Sequence, residues 1–252
     1  MDSVSSKQTS RTAYGRLAAL VAGTIAFAIL IALGTWQVQR LHWKEALLTS
    51  IEQRSTSEPQ PLSEVEATFD RTGDVDYQRM TASGRFLHQG ERHFFATFNG
   101  QSGFFVYTPL MLADGRALLV NRGFVPYELK DTAKRQEGQV AGDVTIVGLA
   151  RNPLAQKPSF LVPENDLTKN VFYWKDRDAM AATASLPAGT GVLPFFIDAD
   201  ATPNPGGLPV GGVTIIDLPN SHLQYAGTWY GLALALVGVM AVWLWRGRRQ
   251  GN

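Results

Sequence analysis

Two long apolar runs flank a middle region with a different pattern. The first run extends from Leu17 to Gln39 without a charged side chain, between Arg16 and Arg40. About 20 apolar residues suffice for a helix to cross the hydrocarbon core of a bilayer, so the run predicts a transmembrane helix over 17–39. The alternative is a cleaved signal peptide, which has a shorter apolar core followed by a cleavage site with small residues. The run instead ends in Gly-Thr-Trp-Gln, which favours an uncleaved anchor.

The second run, Ala226–Trp245, ends at a cluster of arginines and carries aromatic residues at both ends. Membrane–water interfaces favour such aromatic residues, so residues 218–245 are predicted to form the approach to the membrane and a second transmembrane helix. Basic residues before the first run and after the second indicate that the tails, 1–16 and 246–252, are both cytoplasmic. Arg40 and Lys44 count against this orientation, but the basic residues of the tails outweigh them.

Residues 40–217 are therefore predicted to form one domain on the outer side, the periplasm if the host is a bacterium. Helical spacing continues the first helix over 40–54, and a short helix is expected to begin near Asp176, with Asp176 or Asp178 as its cap. The other recognisable elements are short extended runs bounded by Gly, Pro, Asn or Asp, as in strands. The predicted strands are 77–87, 92–98, 104–112, 117–125, 144–150, 171–174, 195–198 and 213–216.

The fold class that follows is a membrane protein with two transmembrane α-helices flanking a β-rich extramembrane domain. Many short strands with little helix predict a small barrel- or sandwich-like arrangement of α+β type. The apolar residues are clustered, because a chain that is 45% hydrophobic has a mean hydropathy of only −0.07.

Composition excludes several classes of function. With 23 basic and 22 acidic residues the formal net charge is +1, which argues against a nucleic-acid binder. The absence of cysteine excludes disulfides, thiol nucleophiles, iron–sulfur clusters and thiolate metal sites. The sequence also contains no phosphate-binding loop, dinucleotide fingerprint, nucleophile elbow or zinc-protease motif, so no enzymatic activity is predicted.

Two clusters of polar residues in the middle region are weak candidates for metal-binding sites. Asp70, Asp74 and Asp76 lie close together, but their spacing is not that of a calcium loop and favours a solvated turn. His88 and His93 flank a predicted turn across which they could face one another. A metal there would need a third ligand, which no neighbouring residue obviously supplies, so structural or surface histidines are expected.

His222 lies just before the second run, and Tyr225, Ala226 and Trp229 share its helical face by i, i+3, i+4, i+7 spacing. An imidazole at the membrane surface beside aromatic rings is what an axial haem ligand requires. The same pattern is typical of a histidine in an interfacial aromatic belt, and spacing alone favours that interpretation.

Four residues at the end of the first run and just beyond it lie on one helical face at a similar depth. They are Trp36, Arg40, Trp43 and Lys44. A cation there can pair with carboxylates such as haem propionates. The alternative is a side chain that reaches the interface from a helix end, and the spacing alone favours it.

Four stretches together resemble one family, the surfeit-locus assembly factors for cytochrome c oxidase. Three of them are Gly103–Leu110, the turn Val120–Pro126 with Phe124 where Trp is usual, and Pro219–Tyr230. The first along the chain is Leu33-Gly34-Thr35-Trp36-Gln37 followed by Arg40 and Trp43-Lys44. They occur in the family's order, and the two-span pattern agrees with it.

The resemblance implies an integral membrane accessory protein of the respiratory chain, in the bacterial inner membrane, that receives haem a from the haem a synthase and assists its insertion into oxidase subunit I. It places the haem-iron ligand at His222 and the family's Trp- and Arg-bearing opening at Trp36, Gln37 and Arg40. With Tyr225 and Trp229, which share the helical face of His222, Trp36 and Arg40 are the other predicted cofactor-binding residues. Haem a carries a farnesyl tail, so its carrier is expected to hold it at the surface of the lipid bilayer. The alternative is a scaffold that stabilises early oxidase intermediates without binding haem.

The Asn121-Arg122-Gly123 turn is part of the same resemblance. Gly123 suits a tight turn after a strand. Whether Arg122 serves packing or binds a ligand stays open at the level of sequence.

Overall fold

A computed structural model describes residues 3–216 and 220–249. The chain divides into two compact units, residues 1–49 with 217–252 and residues 50–216. The helices are α1 (Ser3–Thr56), α2 (Leu62–Thr72), α3 (Arg177–Thr183) and α4 (His222–Arg249). The strands are β1 (Gln60–Pro61), β2 (Arg79–Phe86), β3 (Arg92–Phe98), β4 (Gln101–Met111), β5 (Ala117–Pro126), β6 (Asp143–Arg151) and β7 (Val192–Ala199).

Both candidate membrane spans form helices. The segments Tyr14–Thr56 and His222–Arg249 are long and apolar enough to cross a membrane. Large apolar side chains on their outer surfaces are exposed, which is stable in lipid but not in water. They include Leu17, Val21, Ile25, Ile29, Leu234, Val239 and Val242. The prediction that the first helix continues beyond its membrane span is confirmed, since α1 ends only at Thr56.

The two helices pack antiparallel through small residues. Gly23 of α1 lies against Met240 of α4, while Gly34, further along α1, lies against Tyr230, earlier in α4. A Cβ added to Gly23 would come within 2.6 Å of Met240 Cε, so the Met240 side chain lies directly against the glycine. Small residues at the contact are the usual means of bringing membrane helices close together.

The second unit is built on a closed five-stranded barrel. The strands follow the order β2-β6-β7-β5-β4, and β4 pairs with β2 to close the ring. The closing pairs are Arg85 with Met111 and Phe86 with Leu110. Strand β1 adds in parallel to β2, and β3 adds antiparallel to β4. Closure decides between the two predicted alternatives in favour of a barrel rather than a sandwich.

Strand β5 is buried on both faces. Leu118 and Val120 belong to the cluster that fills the barrel, to which all five barrel strands contribute. Leu119 points to the other face and packs with Phe172 and Met180 of the segment between β6 and β7. Successive side chains of a strand point to opposite faces of the sheet. Because both faces of β5 are buried, its sequence is almost continuously apolar.

Two of the predicted strands are wrong. Residues 171–174 form only isolated bridges, through Phe172 to Phe94 and through Val171 to Asp166. Residues 213–216 have no regular structure. Phe172 and Val213 are buried although their segments do not extend the ladder of the sheet, and a local apolar pattern does not distinguish this case from a strand.

Helix α2 was not predicted, whereas α3 was. Val65 and Phe69 of α2 have the i, i+4 spacing of one helical face, but the polar residues around them hide it. Val65 is fully buried, and the Phe69 ring lies 5.6 Å from that of Phe195. The predicted cap of α3 is confirmed, because the Asp176 carboxylate accepts a hydrogen bond of 3.0 Å from the Ala179 N–H.

Candidate functional site

A hydrogen bond between the two long helices fixes the imidazole of His222. Its Nδ1 lies 2.8 Å from Oε1 of Gln37, 185 residues earlier in the chain. An amide oxygen only accepts, so Nδ1 donates in this bond, and in the neutral imidazole Nε2 then carries the lone pair. Metal-ligating histidines almost always donate their other ring N–H in this way, which sets the tautomer and the ring orientation.

A second set of contacts holds the helices together next to this bond. The Thr35 hydroxyl lies 3.1 Å from the Tyr230 hydroxyl. Gly34 lies beneath the same tyrosine, and a Cβ there would be 2.7 Å from Tyr230 Cε1. Ala226, one turn after His222, is buried. These contacts make the start of α4 a fixed platform for the imidazole.

The other predicted cofactor-binding residues lie around this platform with different exposures. Trp36 and Tyr225 are each 54% exposed, and Trp229 is half-buried. The Arg40 guanidinium stacks on the Trp43 ring at 3.9 Å from its centroid. A guanidinium stacked on an indole keeps its N–H edges for acceptors in its own plane.

The structure joins His222 to Gln37, which the sequence did not place among the cofactor-binding residues. Within residues 3–216 and 220–249, no hydrogen bond, ion pair or ring contact joins His222 to Trp36 or Arg40. In the sequence, Gln37 could be singled out only because it belongs to Leu33–Gln37, one of the four stretches that carry the family resemblance. Nothing in its own chemistry indicated a role, because an amide has no ligand signature of its own.

The donor set fits a haem better than a bare metal ion. In the described part of the chain, no group of three or more His, Asp or Glu residues is arranged to hold a metal ion. The porphyrin supplies four nitrogens, so haem iron needs only one or two ligands from the protein, and histidine is a common one. A single oriented imidazole beside exposed aromatic rings and a cation is a suitable set for that group.

His88 and His93 of the barrel unit do not share a partner. His88 Nε2 lies 2.8 Å from the Val140 carbonyl oxygen. His93 is buried between the Glu91 carboxylate, at 2.8 Å from Nε2, and the Asn170 amide, at 3.1 Å from Nδ1. The Glu91 carboxylate also accepts from Arg135. These are the contacts of structural histidines.

Burial and charge move the pKa values in this cluster. Burial lowers the pKa of His93 below its ordinary value, and the attraction of Glu91 only partly opposes this. Burial alone would raise the pKa of Glu91, but hydrogen bonds from His93 and Arg135 outweigh it and hold the pKa low. The folded protein therefore keeps a neutral imidazole beside an ion pair.

Of the three aspartates singled out in the sequence, Asp70 is an exposed residue of α2, and Asp74 and Asp76 lie in the ordered turn after it. Asp74 accepts hydrogen bonds from Arg54, at 3.0 Å, and from the Asn152 amide, at 2.8 Å. Asp76 accepts from the Asn152 backbone N–H at 2.9 Å and pairs with Arg151. The turn is thus tied to the rest of the unit and not simply solvated, and its carboxylates are used by these partners.

The predicted turn at residues 121–123 is wrong, because these residues lie within β5, where Asn121 and Gly123 have clear structural roles. Asn121 donates to Asp198 at 2.9 Å and accepts from the Gly123 N–H at 3.1 Å. Gly123 has φ of 121°, and a Cβ there would collide with the Val210 carbonyl oxygen. Only glycine fits this backbone, because other residues rarely adopt such a φ.

Comparison with known proteins agrees with the sequence resemblance. The profile of the SURF1 family matches residues 24–234. The chain is 38% identical to rat Surfeit locus protein 1 over 224 residues, covering 82% of this chain and 70% of the rat protein. It is 37% identical to the human protein of that name, covering 81% and 70% of the two chains. A SURF1-like protein of Monosiga brevicollis is 37% identical over 238 residues, covering 89% and 85%. The chain therefore belongs to the SURF1 family.

Proposed function

We propose that this chain is an assembly factor for a cytochrome c oxidase, and that it holds haem a at the membrane surface before the haem enters oxidase subunit I. The observation that carries this proposal is the 2.8 Å hydrogen bond from His222 Nδ1 to Gln37. It orients an imidazole with Nε2 available at the start of a membrane helix, as an axial ligand needs. Family membership is consistent with a role in oxidase assembly.

Each residue of the site has a physical role in this function. His222 would bind the haem iron through Nε2, and Gln37 would hold the imidazole in the required tautomer. Trp36, Tyr225 and Trp229 would supply aromatic surface for the macrocycle. Arg40 would pair with a propionate through the N–H edges that its stacking on Trp43 leaves available.

A site of this kind suits a carrier rather than an enzyme. Trp36 and Tyr225 are largely exposed, so a bound molecule would remain open to a partner on that side. Receiving haem a from the haem a synthase and passing it to subunit I requires only ligand exchange at the iron. No covalent bond of the protein is made or broken, which agrees with the absence of any nucleophile–base motif in the sequence.

The proposed location is the inner membrane of a bacterium, with helices over 17–39 and 226–245. Residues 40–217 would lie in the periplasm and both tails in the cytoplasm. Basic residues at 246, 248 and 249 follow the second span, and the positive-inside bias supports this orientation. The start of α4, with His222, would then lie at the outer surface of the membrane.

A scaffold without haem is the second candidate, and one surface feature favours it. Phe160 and Leu161, in the segment between β6 and β7, are 89% and 77% exposed. Adjacent exposed apolar side chains of this size are typical of a surface that contacts another protein. An assembly factor could use them to hold an oxidase intermediate.

The deciding experiment is the haem content of the full chain, purified in detergent from cells that make haem a. We expect haem a by visible spectrum and extraction in the wild type and its loss in His222→Ala. His42→Ala is the matched control, because His42 is an exposed histidine of α1 and should leave the haem in place. Wild-type protein without haem that still supports oxidase assembly would favour the scaffold.

A further inference from the structure

Arg122 of β5 is a buried cation without a carboxylate partner. Only 2% of the residue is exposed. Its Nη2 donates to the Gly138 carbonyl oxygen at 2.6 Å and to Asn204 Oδ1 at 3.0 Å, both neutral acceptors. Its Nη1 has no hydrogen-bond partner in the described part of the chain. Arginine stays charged in proteins, and buried charges are nearly always paired.

The carboxylate whose charge acts on Arg122, that of Glu91, is already used by another cation. Glu91 attracts Arg122 electrostatically, but its oxygens accept hydrogen bonds from Arg135 and His93. Two guanidinium groups and one carboxylate leave one positive charge without compensation. Burial, together with the positive charge of Arg135, lowers the pKa of Arg122 to about 10 despite the attraction of Glu91. An additional anion near Nη1 would relieve this cost.

A cavity of about 200 Å³ lies beside this guanidinium. Phe86 forms part of its wall, with its ring 4.6 Å from the Arg122 Cζ. Aliphatic side chains form most of the remainder, including Val144, Ile146 and Ala199. The wall also contains the carboxylate of Asp200, which accepts a hydrogen bond of 3.0 Å from the Thr202 N–H.

We propose that this cavity binds a small carboxylate, with its charged end at the Arg122 guanidinium and a short apolar body against the aliphatic wall. The unpaired N–H groups of Nη1 match the in-plane lone pairs of a carboxylate. A phosphate carries more charged oxygens than this wall has donors for. The cavity is smaller than the roughly 300–1,000 Å³ of a typical ligand pocket, which limits the bound group to a small acid or a single polypeptide carboxylate.

The test measures the thermal unfolding midpoint of the full chain in detergent during titration with sodium butyrate. Sodium chloride at the same ionic strength is the reference. We expect a saturable rise with butyrate and none with chloride, because a ligand that binds only the folded state stabilises it. Arg122→Met should weaken the apparent affinity at least about tenfold, as loss of a charged hydrogen bond does. Arg85→Met removes an exposed arginine and should leave the response unchanged.

Several results would overturn the proposal. They are an equal rise with chloride or inorganic phosphate, no rise in the wild type, or an unchanged response in Arg122→Met. If Arg122→Met does not fold, Thr202→Trp is the second variant, since Thr202 is an exposed residue of the cavity wall. An indole there should fill the cavity and abolish the response while Arg122 keeps its hydrogen bonds, and a retained response would overturn the proposal.

Two sources of the carboxylate are distinguished by a further comparison. Trialanine with a free terminal carboxylate is titrated beside its amide. A response to the free peptide but not to the amide supports a polypeptide terminus as the natural ligand. A response to butyrate alone supports a small free acid.

Discussion

At the scale of single residues, the feature that matters most is the pair His222 and Gln37. Sequence spacing identified His222 because a histidine before an apolar run is visible locally. The partner was not identified from chemistry, because a hydrogen bond between residues 185 positions apart depends on how two helices pack. For the same reason the sequence did not decide whether Arg122 serves packing or binds a ligand, since which groups surround it depends on the folded barrel.

Replacing Gln37 tests whether orientation of the imidazole matters. In Gln37→Leu the acceptor for His222 Nδ1 is lost, and we expect the retained haem to dissociate about 10–100-fold faster, as is usual when such an outer partner is removed. Gln37→Glu keeps an acceptor oxygen and should largely restore retention. The measurement is the rate of haem transfer to an excess of apomyoglobin. Equal rates in all three proteins would mean that Gln37 has no such role.

At the scale of elements, periodicity with turn residues predicted the barrel strands well. Strand β3 has the predicted bounds, and β2, β4, β5, β6 and β7 differ from prediction at their ends. Helix α2 escaped prediction because only one face of its short length is apolar. Residues 171–174 and 213–216 look like strands because they are apolar and extended, yet ladder pairing depends on long-range neighbours.

The contact between the two long helices depends on small residues. In Gly34→Leu the new side chain meets the Tyr230 ring, and overpacking of this kind costs about 1–3 kcal/mol. We expect a lower unfolding midpoint and loss of haem, because the platform for His222 is displaced. Gly227→Leu is the matched control, since nothing lies within 4 Å of a Cβ at Gly227. Thermal unfolding that is equally affected in both variants would contradict this account of the contact.

The cluster joining β3 to the segment after β5 makes the barrel unit sensitive to acid. His93 faces Glu91, Arg135 and Lys130, and its folded-state pKa lies below the ordinary 6.5. As the pH falls through 6.5, the unfolded chain takes up a proton on this histidine before the folded chain does, so the free energy of unfolding decreases. Below about pH 4.5 the protonation of Glu91 acts in the same direction, because its folded-state pKa is also lowered.

The pH dependence is measured as the free energy of unfolding from pH 7.5 to 5. His93→Gln cannot be protonated and should show a shallower decrease than the wild type. His42→Gln should follow the wild type, because His42 lies outside this cluster. A wild-type free energy that is flat over this range would contradict the linkage.

At the scale of the whole molecule, the proposed orientation puts the barrel unit and the two tails on opposite sides of the membrane. The chain contains no cysteine, so a single introduced one reports its own location. Glu128→Cys, at an exposed position of the barrel unit, should react with an impermeant maleimide in spheroplasts. Ser5→Cys should react only after the membrane is permeabilised. The reverse pattern would contradict the proposed orientation.

The most direct test of the central claim is chemical rescue of the iron ligand. The full chain is purified with haem a as wild type, the purified His222→Gly variant is mixed with added haem a without and with imidazole, and resonance Raman spectra are recorded for the ferrous proteins. We expect an iron–histidine vibration in the wild type, its absence in His222→Gly, and its return when imidazole is added to the variant. An unchanged iron–histidine vibration in His222→Gly without imidazole would show that another residue binds the iron and would contradict the account.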